Sequence, residues 1–157
     1  MNTWSNQIYI SNPTEIGSIY SKQELIEIRQ FCDKNHLYLY MDGARLGSAL
    51  CATGNDLQFH DLPKLTDAFY IGGTKGGALF GEALVICNDD LKRDFRFLMK
   101  QRGALLAKGR LLGIQFFELF QNGLYFTLAK HANAMASILQ QTIRDEGYTF
   151  LIESSTN

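Results

Sequence analysis

Two four-residue stretches hold the side chains best suited to chemistry, Asp42-Gly43-Ala44-Arg45 and Gly72-Gly73-Thr74-Lys75. Each follows directly on a short apolar run, Leu37 to Met41 for the first and Ala68 to Ile71 for the second. Such runs read as buried strands, and in open parallel α/β sheets ligands bind beyond the carboxyl ends of the strands. The pattern therefore predicts an acid, a guanidinium and an amine converging on one crevice. A lysine amine can form a Schiff base with the aldehyde of pyridoxal phosphate. That cofactor is an electron sink for carbanion chemistry at an amino-acid α carbon. Asp42 would stand against the pyridine nitrogen and keep it protonated. The planar fork of Arg45 suits a bidentate carboxylate. Thr74 would donate a hydrogen bond to the cofactor phosphate.

Taken singly, these residues have plainer readings. A strand-ending aspartate is often a helix cap, a lysine in a glycine-rich turn is usually solvated, and a lone arginine is commonly a surface ion-pair partner. The stretch Gly72 to Gly77 lacks the Walker spacing and leads into a strand, which argues against a nucleotide loop. His36, His60 and His131 read as surface or satisfied histidines. Tyr9, Tyr20 and Tyr38 read as sheet-packing or loop-anchoring groups.

The elements that must position the two motifs follow from periodicity and punctuation. Gln7 to Ser11 reads as a strand, and the proline and glycine between Asn12 and Gly17 mark a loop. Ser21 with Glu24 forms a capping-box pattern, so a helix starts there and stops at Asn35. Strand, helix and strand make a βαβ unit with parallel strands. Ala44 to Cys51 predicts a short helix, and Asp56 to Asp67, interrupted by Pro63, is left unassigned. Glu82 to Cys87 is a strand only about ten residues past the one before Lys75. A parallel crossover needs roughly a dozen or more, so this strand should run antiparallel. Helices are predicted from Asn88 or Asp89 to Gln101, from Leu106 to Phe120 and from Leu124 to Glu146, with Gly147 as a stop. Thr149 to Ile152 could begin a further strand.

The bulk properties narrow the class. The 157 residues suffice for one domain with a real core, and 46% hydrophobic content argues against disorder. The net charge is −1 and the basic residues are dispersed, so no nucleic-acid footprint is expected. Cys32, Cys51 and Cys87 are odd in number and widely spaced, which predicts neither disulfides nor a metal site and fits a reducing cytoplasm. Met1 to Gln7 is polar, without a signal-peptide core, and no apolar run has the length of a membrane span.

The combination of Asp-Gly-Ala-Arg after one strand and Gly-Gly-Thr-Lys after another resembles the threonine aldolase / β-eliminating lyase family of pyridoxal-phosphate enzymes, and in particular its low-specificity L-threonine aldolase branch. The likeness extends to Thr14-Glu15-Ile16-Gly17 with Tyr20-Ser21, to Phe80-Gly81-Glu82-Ala83 and to Lys100-Gln101-Arg102-Gly103-Ala104. It implies an α/β fold of the aspartate-aminotransferase type (fold type I), in which this chain supplies an incomplete large domain with a mostly parallel sheet and one antiparallel strand. It implies Lys75 as the Schiff-base lysine, Asp42 as the partner of the pyridine nitrogen and Arg45 as the substrate-carboxylate ligand. Lys100 matches a family lysine near the active site. Glu15 stands at about the place where the family often has a histidine.

Family members are roughly twice this long. Their upstream part supplies a phosphate-binding turn and a ring stacked on the cofactor, and their downstream domain supplies a further arginine. The resemblance thus implies that residues 1–147 are the central and later part of the cofactor-binding domain and that 148–157 start a small domain. The implied activity is retro-aldol cleavage of a β-hydroxy-α-amino acid to glycine and an aldehyde, by a homodimer or homotetramer. Two alternatives stand beside it, β-elimination on aromatic amino acids and a catalytically inert fragment.

Overall fold

The computed structural model describes residues 6–157. The reading of the polar amino terminus falls mostly on Met1–Ser5, outside the described residues. Four strands and six helices carry the fold among the described residues: β1 (Gln7–Ser11), α1 (Lys22–Lys34), β2 (Tyr38–Asp42), α2 (Leu46–Leu50), α3 (Leu62–Leu65), β3 (Ala68–Ile71), β4 (Ala83–Ile86), α4 (Phe95–Gln101), α5 (Arg110–Phe120) and α6 (Leu124–Asp145). The sheet order is β1-β2-β3-β4. The first three strands are parallel and β4 is antiparallel to β3, as the short connection required.

Helix α1 starts where its capping box says it should. Ser21 Oγ accepts from the Glu24 N–H at 3.2 Å, and Glu24 Oε2 accepts from the Ser21 N–H at 2.8 Å. Two of the four free N–H groups of the first turn region are thereby satisfied. Ser21→Ala should destabilise the protein by about 1 kcal/mol in urea denaturation, with the midpoint shifted and the slope unchanged. The helix ends on Asn35. His36 then takes a left-handed conformation (φ 54°), and the Leu37 N–H returns to the Cys32 carbonyl at 2.9 Å. The joint turns the chain directly into β2.

Alternation along the strands sorts side chains onto two faces. Ile10, Leu39, Met41, Phe69 and Ile71 point into the main core with Leu25 and Cys32 of α1. The opposite face carries a row of rings, one from each parallel strand. Tyr9 stacks on Tyr40 at 5.6 Å, and Tyr40 meets Tyr70 at 6.4 Å.

At the start of β3, Asp67 ties four elements together. Its carboxylate accepts from Arg29 of α1 at 2.6 Å, from the Leu39 N–H of β2 at 2.7 Å and from Asn88 beyond β4 at 2.7 Å. Its backbone carbonyl accepts from the N–H groups of Cys87 and Asn88.

Three expectations change. The helix placed from Asn88 or Asp89 to Gln101 is broken. Asn88 caps only a 3₁₀ turn, Asp89–Leu91, by accepting from the Asp90 N–H at 3.0 Å, and Asp94 at φ 57° interrupts the chain before α4. Short polar side chains that bond the local backbone compete with helix there. The next helix begins at Arg110 rather than Leu106, with Gly109 at its N-cap. Thr149 to Ile152 forms no strand, and Leu151 is fully exposed. The following residues fold back instead, and the Ser155 N–H donates to the Gly17 carbonyl at 3.0 Å. The unassigned stretch after Asp56 resolves into a 3₁₀ turn, Phe59–Asp61, and α3, whose first turn accepts Pro63 because that turn needs no N–H from it.

Candidate functional site

The two motifs meet at the carboxyl ends of β2 and β3, backbone against backbone. The Gly72 N–H donates to the Gly43 carbonyl at 2.8 Å. A Cβ on Gly43 would stand 2.1 Å from the Tyr70 carbonyl oxygen, and one on Gly72 would stand 2.0 Å from that of Ala44. Neither glycine is there for an unusual φ. Both are there because no side chain fits between the two turns.

Asp42 closes β2. Its Oδ1 accepts from the Ala44 N–H at 2.9 Å, and its Oδ2 accepts from the Tyr9 hydroxyl. Burial works against the charge on Asp42. The hydroxyls of Tyr70 and Tyr9, the Ala44 N–H and the positive charge of Lys75 outweigh it and hold the carboxyl below its usual range. The same carboxylate pushes the Tyr9 phenol up to about 12, chiefly by accepting its hydrogen bond. Asp42 is thus an anion at neutral pH, fixed by a turn and not used as a side-chain cap of α2, which has none.

Lys75 is exposed on a tight turn, where the N–H groups of Gly76 and Ala78 both return to the Gly73 carbonyl at 2.9 Å. Arg45 is half-buried just before α2. Neither makes an ion pair among the described residues. Both line a cavity of about 230 Å³ together with Ser48, Gly76, Gly77 and Tyr125. The structure therefore brings Asp42, Arg45 and Lys75 to one sheet edge.

Thr74 is there too, but its hydroxyl is engaged. It donates to Glu82 Oε1 at 3.1 Å, and Glu82 Oε2 accepts from the Gly73 N–H at 2.5 Å. Lys100 is exposed in the last turn of α4 and lines no part of the cavity. Glu15 is exposed in the turn after β1, and none of the three histidines lines the cavity.

Four residues escaped the reading of the sequence. Tyr9 and Tyr70 sit on the strands flanking Asp42. Glu82 holds the lysine-bearing turn. Tyr125, from the start of α6, is 2% exposed and lies between two glycines, since Cβ atoms on Gly47 and Gly76 would approach its ring to 2.8 and 2.6 Å. Its hydroxyl accepts from the Gly47 N–H at 3.2 Å, and burial pushes the phenol up to about 12. Asn12 adds a spare donor at this edge. It is buried, its N–H donates to the Asp42 carbonyl at 2.9 Å, and its Nδ2 has no partner among the described residues. The tyrosines had a signal, a ring on the same face of each parallel strand. Tyr125 had none, because its partner glycines are far away in sequence.

Comparison with known proteins agrees with this geometry. The family model for β-eliminating lyases matches residues 4–157. The low-specificity L-threonine aldolase of Pseudomonas aeruginosa is 33% identical over 138 residues, which is 88% of this chain and 40% of that protein. The solved structure of Leishmania major threonine aldolase superposes with a TM-score of 0.94 at 52% identity, covering 96% of this chain and 44% of that one. A pyridoxal-phosphate-dependent aminotransferase from Streptococcus suis, at 15% identity and a TM-score of 0.63, shares the fold alone. The chain spans less than half the length of these relatives. No helix among the described residues is long and apolar enough to cross a membrane. With the family model matched along almost its whole length and the fold that of the pyridoxal-phosphate enzymes of fold type I, this chain belongs to the β-eliminating lyase family.

Proposed function

We propose that the intact protein is a pyridoxal-phosphate-dependent aldehyde-lyase. It would cleave a β-hydroxy-α-amino acid of the L-threonine type to glycine and an aldehyde. The observation that carries this reading is the apposition of an anionic Asp42 and a Lys75 without an ion pair among the described residues, on two turns that share a backbone hydrogen bond. The names of the relatives from Pseudomonas aeruginosa and Leishmania major support the substrate class.

The residues present fit the cofactor. A carboxylate has about four acceptor positions, and the Ala44 N–H and Tyr9 hydroxyl engage two of those on Asp42, so a pyridinium N–H still finds an acceptor there. Lys75 is the amine that anchors the cofactor aldehyde, and in turnover it moves protons at the α carbon. When bound, pyridoxal phosphate supplies the sink for the electron pair released as the bond between Cα and Cβ breaks. Arg45 orients the amino-acid carboxylate through its fork. Thr74 shapes the lysine-bearing turn through Glu82, and its one hydroxyl proton would have to turn away from Glu82 to meet the cofactor phosphate. Lys100 stays a substrate-binding candidate on the family resemblance alone, standing on α4 outside this cavity.

On this reading residues 1–147 belong to the cofactor-binding domain and 148–157 open the small domain. Leu111, Ile114 and Phe117 leave one side of α5 exposed, which suits burial in a homodimer or homotetramer. The three free thiols suit a reducing cytoplasm.

The test is product analysis on the intact protein loaded with pyridoxal phosphate. Glycine and acetaldehyde are expected from threonine. Pyruvate and ammonia from tyrosine or tryptophan, with threonine untouched, would replace this reading by β-elimination.

A further inference from the structure

Resting on the function proposed above, we propose that Tyr9 and Tyr70 are positioning residues for Asp42. They form a two-sided clamp, one ring from each neighbouring strand, in which Tyr9 bonds the carboxylate and Tyr70 walls its other side, and which aims it at the cofactor's pyridine nitrogen. The clamp follows from the sheet. Asp42 ends β2, Tyr9 lies on β1 and Tyr70 on β3, and all three project from the same face. Tyr40, two residues before Asp42, fills the space between the rings and props both, at 5.6 Å from Tyr9 and 6.4 Å from Tyr70. Tyr9 donates to Oδ2, the Ala44 N–H donates to Oδ1, and the Tyr70 hydroxyl also favours the charged carboxylate.

Without the hydroxyls, one backbone N–H would hold a half-buried anion, and the carboxylate could turn about its χ2 torsion, which is broad and roughly two-fold. With them, the plane of the carboxylate is set before the cofactor arrives. Hydrogen bonds to a carboxylate stabilise the anion and so strengthen its pairing with a protonated ring nitrogen. The proposed function gives the cofactor aldehyde to Lys75 and the substrate carboxylate to Arg45, so the tyrosines would contribute through Asp42.

A double-mutant cycle on the intact, cofactor-stripped protein tests this. The readout is the dissociation constant for pyridoxal phosphate, from absorbance titration of Tyr9→Phe, Tyr70→Phe and the double variant. Each is measured with Asp42 present and with Asp42→Ala. With Asp42 present, Tyr9→Phe should bind roughly three- to tenfold more weakly, the size expected for one lost hydrogen bond, and Tyr70→Phe should weaken binding by less. With Asp42→Ala the same changes should alter binding by less than about twofold. Equal weakening in both backgrounds, or none in either, overturns the clamp. Should Tyr70→Phe fail to fold, Tyr9→Phe decides, because Tyr9 is 55% exposed and the change removes only its hydroxyl. Wild-type protein that binds no pyridoxal phosphate would overturn the proposed function, and the clamp with it. Wild-type binding with a flat cycle overturns the clamp alone.

Discussion

Lys75→Ala in the intact protein is expected to remove the visible absorbance of bound pyridoxal phosphate and to lower turnover roughly 10³-fold or more. The change should leave the fold in place. The turn that carries Lys75 is held by bonds that do not involve its side chain. The N–H groups of Gly76 and Ala78 return to the Gly73 carbonyl, and Glu82 grips the Gly73 N–H and the Thr74 hydroxyl. Lys75 itself is exposed, so its truncation should alter stability by no more than about 0.5 kcal/mol. Lys75→Arg separates charge from nucleophilicity. It retains a cation beside Asp42 but offers no amine that can be deprotonated, so it should lose as much activity as alanine does. An active Lys75→Arg protein would remove Lys75 from the chemistry and leave it an electrostatic role.

Asp67→Ala should have the largest effect on stability, a loss of roughly 3–5 kcal/mol in urea denaturation. The side chains of Asp67 and Arg29 are 12% and 16% exposed, so this pair lies mostly out of water. Removing the carboxylate strands three donors, the Arg29 guanidinium, the Leu39 N–H and the Asn88 amide. Arg29 would be left with the Leu37 carbonyl and the exposed Asp33, and its Nε is already without a partner among the described residues. A loss below about 1 kcal/mol would mean that water replaces the carboxylate readily.

The same group gives stability a pH dependence. Burial raises the Asp67 carboxyl, but Asn88, the Leu39 N–H and Arg29 outweigh it and keep it below its usual range. The stabilisation is therefore fully present above the unfolded value of about 3.9 and is lost as pH falls through the lower folded value. In Asp67→Asn the acid limb of the stability curve should flatten.

Elements set by local rules were legible in the sequence. Ser21 and Glu24 announced α1, and the short connection after Lys75 announced the antiparallel β4. The candidate site was legible where its residues close a strand or follow one, Asp42 at the end of β2 and Arg45 and Lys75 in the turns after β2 and β3. What stayed hidden depends on pairing across the sheet or on distant packing. Tyr9 looks like a packing residue until the pairing of β1 with β2 sets it opposite Tyr40 and its hydroxyl reaches Asp42. Thr74 looks free until β4 turns Glu82 back onto it. Asp94, in a left-handed conformation, breaks a helix that composition alone makes continuous. Asp67 ends a stretch with no clear period, and its importance comes from partners on three other elements.

The close apposition at Gly43 and Gly72 also limits how the site can move. With no room for even one methyl group between them, the turns bearing the acid and the amine cannot slide past each other, and they part only by breaking a backbone hydrogen bond. The spacing between the two backbone turns is a fixed ruler. On the proposed function, an opening that admits an amino acid and releases an aldehyde would have to come from other walls than these two turns.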